Sequence, residues 1–322
     1  MFPKVNLPDA VLPSLRCPKC HSQLARDAAE FACMSPQCNR RFPIVDDIPV
    51  LLNEDASVFK IDDFVSKRHE LFAERKTGLR GVVRRFLTPS ISSNLKAEQN
   101  CSKLAELLLA QSESPQVLVV GGGILGQGMN VLAENPRIQL TETDVSFGTR
   151  TMAICDAHDI PFADGTFDAV VIQAVLEHVV DPYRCVDEIH RVLKDRGIVY
   201  AETPFMQQVH GGAYDFTRFT HLGHRRLFRK FEEIDSGAVC GPGMSLAWTY
   251  RHFLLSFTKP GKIRALLEMF AHLTSFYLKY FDRYLIEKPS AFDGSSGYYF
   301  IGRKTEHILP DKGLIDLYKG TI

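Results

Sequence analysis

The stretch QVLVVGGGILGQG, residues 116–128, constrains the fold more than any other part of the chain. Val117 to Val120 is an apolar run with no polar interruption, which reads as a parallel strand buried on both faces. Gly121, Gly123 and Gly126 follow as G-x-G-x-x-G, letting the backbone turn tightly and approach a ligand before a helix begins. A strand of this kind needs helices on both sides, so an α/β sheet is expected. Further strands are expected at Gln139 to Thr143, ending at Asp144, at Ile154 and Cys155 before Asp156, and at Phe167 to Ile172. Three more are expected at Ile198 to Glu202, Glu233 to Val239 and Gly297 to Gly302. Helices are expected over Gly126 to Asn135 and Pro182 to Lys194, the latter gathering Val186, Ile189, Val192 and Leu193 on one side. The glycine loop suits any nucleotide-type cofactor and does not choose among them.

Hydrophobic residues make up 45% of the 322, enough for one large core or two ordinary ones. Lys plus Arg equals Asp plus Glu at 38 each, so no global basic field draws nucleic acid. Prolines in MFPKVNLPDAVLPSL leave no secretory h-region, and no apolar stretch approaches the ~18 residues of a membrane span. The expected compartment is the cytoplasm.

Four of the eight cysteines crowd the first forty residues as C-x2-C-x12-C-x4-C: Cys17, Cys20, Cys33 and Cys38. Four thiolates meet the tetrahedral preference of Zn2+ and leave no open position, so a structural zinc is expected. Disulfides are the minority alternative for a cytoplasmic chain. After the second knuckle, RRFPIVDDIPVLL alternates around Ile44, Val45, Ile48, Val50 and Leu51 and predicts a short strand pair. The two knuckles followed by F-P-I-x-D-x-I-P-V-L-L resemble the Trm112-like zinc ribbon, known as a methyltransferase activator and as a fusion to such enzymes. The expected division is a ribbon over 1–55, a linker with capping helices over 56–112, and a third unit over 113–322.

The stretch DAHDIPFADGTFDAVVIQAVLEHVVDPYRCVDEIHRVLKDRGIVYAETPF, residues 156–205, resembles class I S-adenosylmethionine-dependent methyltransferases of the type 11-like group. The resemblance implies a Rossmann-like seven-stranded sheet and S-adenosyl-L-methionine as cofactor. It also implies that Asp144 takes both ribose hydroxyls and Asp156 the adenine amine, with Val145, Ala157 and His158 along the ring. Gly121, Gly122 and Gly123 would approach the amino-acid end, and Gln173 would lie beside the methyl-donor crevice. Asp164 and Asp168 read as structural, in a turn and at the start of the fourth strand. Val119 departs from the pattern: many members carry Asp or Glu there to hold the methionine ammonium. Glu177 or a backbone carbonyl would have to replace it.

Methyl transfer is an in-line displacement, so alignment supplies much of the rate and a base is needed only if the acceptor keeps its proton. His210, Asp215 and Arg218, in HGGAYDFTRFT, and His178, in LEHV, are the candidate catalytic residues. Asp215 and Arg218 could equally pair with each other. A helical insertion over about 245–291 mixes Trp248, Phe253, Phe257, Phe270, Tyr280 and Tyr284 with Lys259, Lys262, Arg264, Arg283 and Lys288. It reads as helices packed on the sheet, as a lid, or as a surface that meets an anionic membrane. The expected reaction is methyl transfer to an oxygen or nitrogen of a small molecule or glycan. RNA is the alternative acceptor, and a catalytically silent scaffold the alternative to an enzyme.

Overall fold

A computed structural model describes residues 5–27, 29–66 and 88–321; residues 67–87, inside the expected linker, lie outside the described residues. Seven strands form the central block: β5 (Gln116–Val120), β6 (Gln139–Asp144), β7 (Ala153–Cys155), β8 (Phe167–Gln173), β9 (Leu193–Pro204), β10 (Phe231–Cys240) and β11 (Gly297–Lys304). Their order is β7-β6-β5-β8-β9-β11-β10, with β11 antiparallel to both neighbours and β5 to β9 parallel. The order reverses between β5 and β8, so the crevice that such a reversal opens lies beyond the glycine loop.

Alternation along the strands divides two cores. Leu118, Val120, Val170 and Ile172 pack on one side with Cys185, Val186 and Ile189 of helix α4 (Pro182–Val192). Val117, Val119, Ala169 and Val171 pack on the other with Cys101, Leu104 and Leu108 of α2 (Ala97–Leu109). Asp181 caps α4 by accepting from the amides of Tyr183 and Arg184. The helix stops at Val192, and Leu193 already begins β9, two residues before the expected end at Lys194. The helix expected over 126–135 shrinks to α3 (Asn130–Ala133). Gly128 explains the delay: it stands at φ 79°, and a Cβ there would meet the Ala97 backbone at 2.5 Å.

The sheet does not stop at seven strands. β1 (Leu24–Arg26), β2 (Glu30–Cys33), β3 (Arg41–Val45) and β4 (Ile48–Leu51) extend it to eleven in the order β1-β2-β3-β4-β7. The extension runs through β4, whose four residues are all buried, as in a strand with a neighbour on each edge and both faces covered. One is β3, through a two-residue turn at Asp46 and Asp47 with φ of 49° and 64°. The other is β7, with Val50 opposite Ile154 and Leu51 opposite Cys155 in parallel.

Between β10 and β11 run α6 (Pro242–Leu255), α7 (Lys262–Ser275), α8 (Leu278–Leu285) and α9 (Pro289–Gly294). Asp282 of α8 is buried and accepts from the amides of Gly243 at 2.7 Å and Met244 at 2.9 Å, meeting the open first turn of α6. The expected packing of the aromatic stripe on the sheet does not hold. Along α7 the inward positions carry Arg264, Glu268, Ala271 and Ser275, whereas Ile263, Leu266, Phe270 and Leu273 face solvent. α8 repeats the inversion, with Asp282 inside and Tyr277, Phe281 and Tyr284 outside. The two helices are amphipathic with the apolar side turned out. Among the described residues no helix is long and apolar enough to cross a membrane.

Candidate functional site

A cavity of about 570 Å3 opens beyond the carboxyl ends of β5, β6, β7 and β8. Of the residues expected from sequence, Gly121, Gly123, Asp144, Val145, Asp156, Ala157, His158, Gln173 and His178 all line it. Gly122 does not: its amide donates to the Thr143 carbonyl at 2.8 Å, and a Cβ there would meet Val119 and Glu142. His210, Asp215 and Arg218 also stand outside the lining. Phe59, Tyr214 and the loop Ser146–Thr149 complete the walls, and sequence reasoning missed all of them. The glycine at 148, just after β6, was the one available signal. A Cβ there would meet the Gly123 carbonyl oxygen at 2.1 Å, so the two loops touch backbone to backbone.

Asp144 ends β6 with both oxygens held. Oδ2 accepts from the Gly123 amide at 2.9 Å, and Oδ1 from the amide and hydroxyl of Ser146 at 3.0 Å each. Burial raises its pKa against these bonds, which pull it down. Gly123 cannot be larger: a Cβ would lie 2.8 Å from Asp144 Oδ2 and 3.0 Å from Thr151 Oγ1. Gly121 stands at φ 76°, where a Cβ would meet Val175 Cγ2 at 2.3 Å.

Asp156 is committed within the protein. Its Oδ1 takes His158 Nδ1 at 2.5 Å and the His158 amide at 3.1 Å, and its Oδ2 takes the Ser57 hydroxyl at 2.6 Å. Burial alone would raise its pKa, but His158 and Ser57 outweigh burial and lower it. The Asp181 amide donates to His158 Nε2 at 3.0 Å, so that nitrogen is the acceptor and Nδ1 carries the proton. Phe59 stacks on Tyr214 with centroids 5.7 Å apart, joining the segment after the ribbon to the loop after β9.

That loop is organised by Asp215 and Arg218. Asp215 accepts from Arg218 Nη1 at 2.5 Å and Nη2 at 3.0 Å, and from the amides of His210 and Gly211 at 2.8 Å and 3.0 Å. Burial would raise the Asp215 pKa, yet Arg218 and the two amides hold it well below the usual carboxylate range. Arg218 also donates to the Gln207 carbonyl at 2.8 Å. His178 and His210 stand edge to face, ring centroids 5.0 Å apart, and each places Nε2 3.7 Å from Glu177 Oε1. Glu177 raises the His210 pKa, against the effect of burial. Glu177 is fully buried and does not line the cavity, so its carboxylate does not stand where Val119 leaves the acid missing. Glu142, beside Val119 on β6, is also buried, but accepts from Arg150 Nε at 2.6 Å.

All eight cysteines are free thiols. The Sγ atoms of Cys17, Cys20, Cys33 and Cys38 lie within 4.8 Å of one another, with Cys17 to Cys38 at 3.7 Å and Cys20 to Cys33 at 3.5 Å. Thiolates ~2.3 Å from one tetrahedral ion stand ~3.8 Å apart, so the cluster fits a metal and not a pair of disulfides.

Residues 118–201 match the family model described as a methyltransferase domain, Methyltransf_11. The chain is 28% identical over 133 residues to a ubiquinone/menaquinone biosynthesis C-methyltransferase UbiE of a Geobacter species, covering 41% of this chain and 50% of that protein. It is 27% identical over 210 residues to the UbiE of Citrifermentans bemidjiense, covering 60% of this chain and 82% of that protein. The chain thus spans half the length of the Geobacter relative. Among solved structures, phosphoethanolamine N-methyltransferase 2 of Haemonchus contortus in complex with S-adenosyl-L-methionine is similar at 14% identity. The TM-score is 0.45, with 76% of this chain and 60% of that chain covered. The methyltransferase domain model thus matches the central part of the chain, from β5 to β9.

Proposed function

We propose that the protein transfers a methyl group from S-adenosyl-L-methionine to an oxygen or nitrogen of a small molecule or glycan. The observation that carries the reading is Asp144, a carboxylate at the end of β6 locked by the Gly123 amide at the rim of the cavity. A carboxylate fixed there is placed to accept from vicinal hydroxyls, as the crevice rule for open α/β sheets expects. The cofactor would supply an electrophilic methyl on a sulfonium. The chain's own task is to align that methyl and exclude water, which the apolar walls of Phe59, Val175, Val179 and Tyr214 serve. Of the candidate catalytic residues, His178 is the one that faces the cavity. Asp215 and Arg218 act through the loop, as positioning residues for His210. Asp156 reads adenine only indirectly, by fixing the imidazole of His158 at the cavity wall.

The four cysteines would hold Zn2+ as a structural ion. The outward apolar faces of α7 and α8, flanked by exposed Lys259, Lys262, Arg283 and Lys288, favour docking to an anionic membrane surface. That placement suits an amphipathic acceptor. A carbon acceptor is the second reading, taken from the printed activity of the two UbiE relatives. Incubation with methyl-labelled cofactor and host extract, fractionated into RNA, lipid, glycan and small molecules, tests the acceptor class. Label confined to RNA overturns it, and absence of cofactor binding by calorimetry overturns the enzyme.

A further inference from the structure

Glu177 is the most demanding residue of the fold. Its side chain is fully buried, and neither carboxylate oxygen has a hydrogen-bond partner. A buried carboxylate is costly unless a cation or donor meets it. What stands opposite Oε1 is a pair of imidazole nitrogens, Nε2 of His178 and Nε2 of His210, each at 3.7 Å. That separation is too long for a hydrogen bond. It is close to the spacing of two ligands around one ion: with bonds of ~2.1 Å at ~110–120°, ligand atoms stand ~3.4–3.6 Å apart.

The far side of each ring points the same way. His178 Nδ1 lies 2.7 Å from the Tyr214 carbonyl oxygen, and His210 Nδ1 lies 3.2 Å from that of Gln208, with Asp215 Oδ2 at 3.7 Å behind it. An Nδ1–H held by a carbonyl fixes the tautomer that leaves Nε2 with its lone pair, the outer-shell arrangement of metal-bound histidines. Gly211 makes room for it, because a Cβ there would meet His178 Nδ1 and Cε1 at 2.5 Å.

We infer that Glu177, His178 and His210 form a binding site for a divalent first-row transition ion, separate from the four-cysteine cluster. Two imidazoles and one carboxylate suit Zn2+, Mn2+ or Fe2+, and three protein ligands leave positions open. His178 lines the cavity, so an open position on that side would face an acceptor's oxygen or nitrogen. The inference concerns ion binding alone and does not depend on methyl transfer.

The test uses the full chain with the cysteine cluster already loaded with one equivalent of Zn2+, in the absence of cofactor. Mn2+ is titrated by electron paramagnetic resonance and calorimetry, since this harder ion disfavours thiolates. One further equivalent is expected, with affinity lowered at least ~tenfold in Glu177→Gln and in His210→Ala, the loss of one ligand's worth of binding. His210 is on an exposed loop, its side chain 27% exposed, so His210→Ala keeps the test open if Glu177→Gln does not fold. No further equivalent of Mn2+ or of Zn2+, or retention of it in His210→Ala, overturns the site and leaves the three side chains as a His–Glu ion pair. Cofactor binding, measured separately, reports on the methyltransferase reading whichever way the ion titration falls.

Discussion

The Gly123 amide donates to Asp144 Oδ2 at 2.9 Å, tying the glycine loop after β5 to the end of β6. The carboxylate is thereby fixed before any ligand arrives, and its remaining acceptor capacity faces the cavity. Asp144→Ala removes this tie together with the proposed cofactor contact. Hydrogen bonds to a charged group contribute ~1.5–3 kcal/mol each, so S-adenosyl-L-methionine affinity should fall at least ~tenfold. Calorimetry reads this directly, and unchanged affinity would remove Asp144 from the cofactor site.

Gly148→Ala probes the same contact from the other side. The new methyl would lie 2.1 Å from the Gly123 carbonyl oxygen and 2.5 Å from its carbon, both backbone atoms that cannot rotate away. The loop after β6 must therefore retreat from the glycine loop. Cofactor affinity should drop by an amount similar to Asp144→Ala, with secondary structure by circular dichroism unchanged. A variant that binds normally would show that the two loops can part without cost.

Much of this was legible in the sequence, for definite reasons. Val117–Val120 of β5 and Ala169–Ile172 of β8 are unbroken apolar runs buried on both faces, and Asp144, Asp156 and Gln173 each stand at or just past the carboxyl end of an expected strand. Val50 and Leu51 showed the same apolar run, but nothing local says that the neighbour of β4 is β7, about a hundred residues away. Pairing of that range is set by the tertiary fold and not by periodicity. Phe59 and Tyr214 escaped for the same reason, since each is an ordinary loop aromatic until the other stacks on it. Glu177 is one residue the sequence offers in place of the acid missing at Val119, but its side chain turns toward His178 and His210 instead.

Loss of an ion from the four-cysteine cluster should reach the proposed cofactor site. The cysteine cluster holds the hairpins that end in β4, β4 pairs with β7, and Ser57 just beyond donates to Asp156 at 2.6 Å. Cys33→Ser, or treatment with a strong chelator, should lower the melting temperature. Freeing the partner of Asp156 should also weaken cofactor binding ~tenfold, the worth of one charge-assisted hydrogen bond. A melting temperature unmoved by chelation would exclude a structural ion here.

The inverted helices of the insertion give a surface prediction. Ile263, Leu266 and Phe270 repeat at helical spacing on the exposed side of α7, and Phe257 beside them is 72% exposed. Each buried CH2 contributes ~0.8 kcal/mol, so four such side chains suffice for measurable partition into an interface. The protein should float with vesicles rich in anionic lipid, and Leu266→Ser with Phe270→Ser should abolish flotation while cofactor affinity stays the same. Equal flotation of the variant would place the contact elsewhere.

Two buried histidines of α5 (His221–Leu227) contribute to the response to acid. Burial lowers the pKa of His221 to about 4, with Lys319 adding to the effect, and burial lowers that of His224 to about 3, with His221 adding to it. The unfolded chain takes up protons at these positions from the reference value of 6.5 downward, whereas the folded chain does not until about 4. Stability is therefore fully present above about pH 6.5 and falls as the pH drops toward 4, by up to ~1.4 kcal/mol per unit for each histidine. The depressed carboxylates Asp156 and Asp215 act only at lower pH, because their stabilisation is lost as they are protonated. Urea midpoints at about pH 7.5, 6 and 5 should thus decline steadily. His224 packs edge-on against Phe228 at 5.1 Å, and its Nε2 has no partner, so a leucine of similar volume costs little there. His224→Leu should keep the midpoint near neutral pH and make the decline shallower, since one titrating group is gone. A slope unchanged by the substitution would mean that His224 is already protonated in the fold, and would overturn its assignment as a neutral core residue.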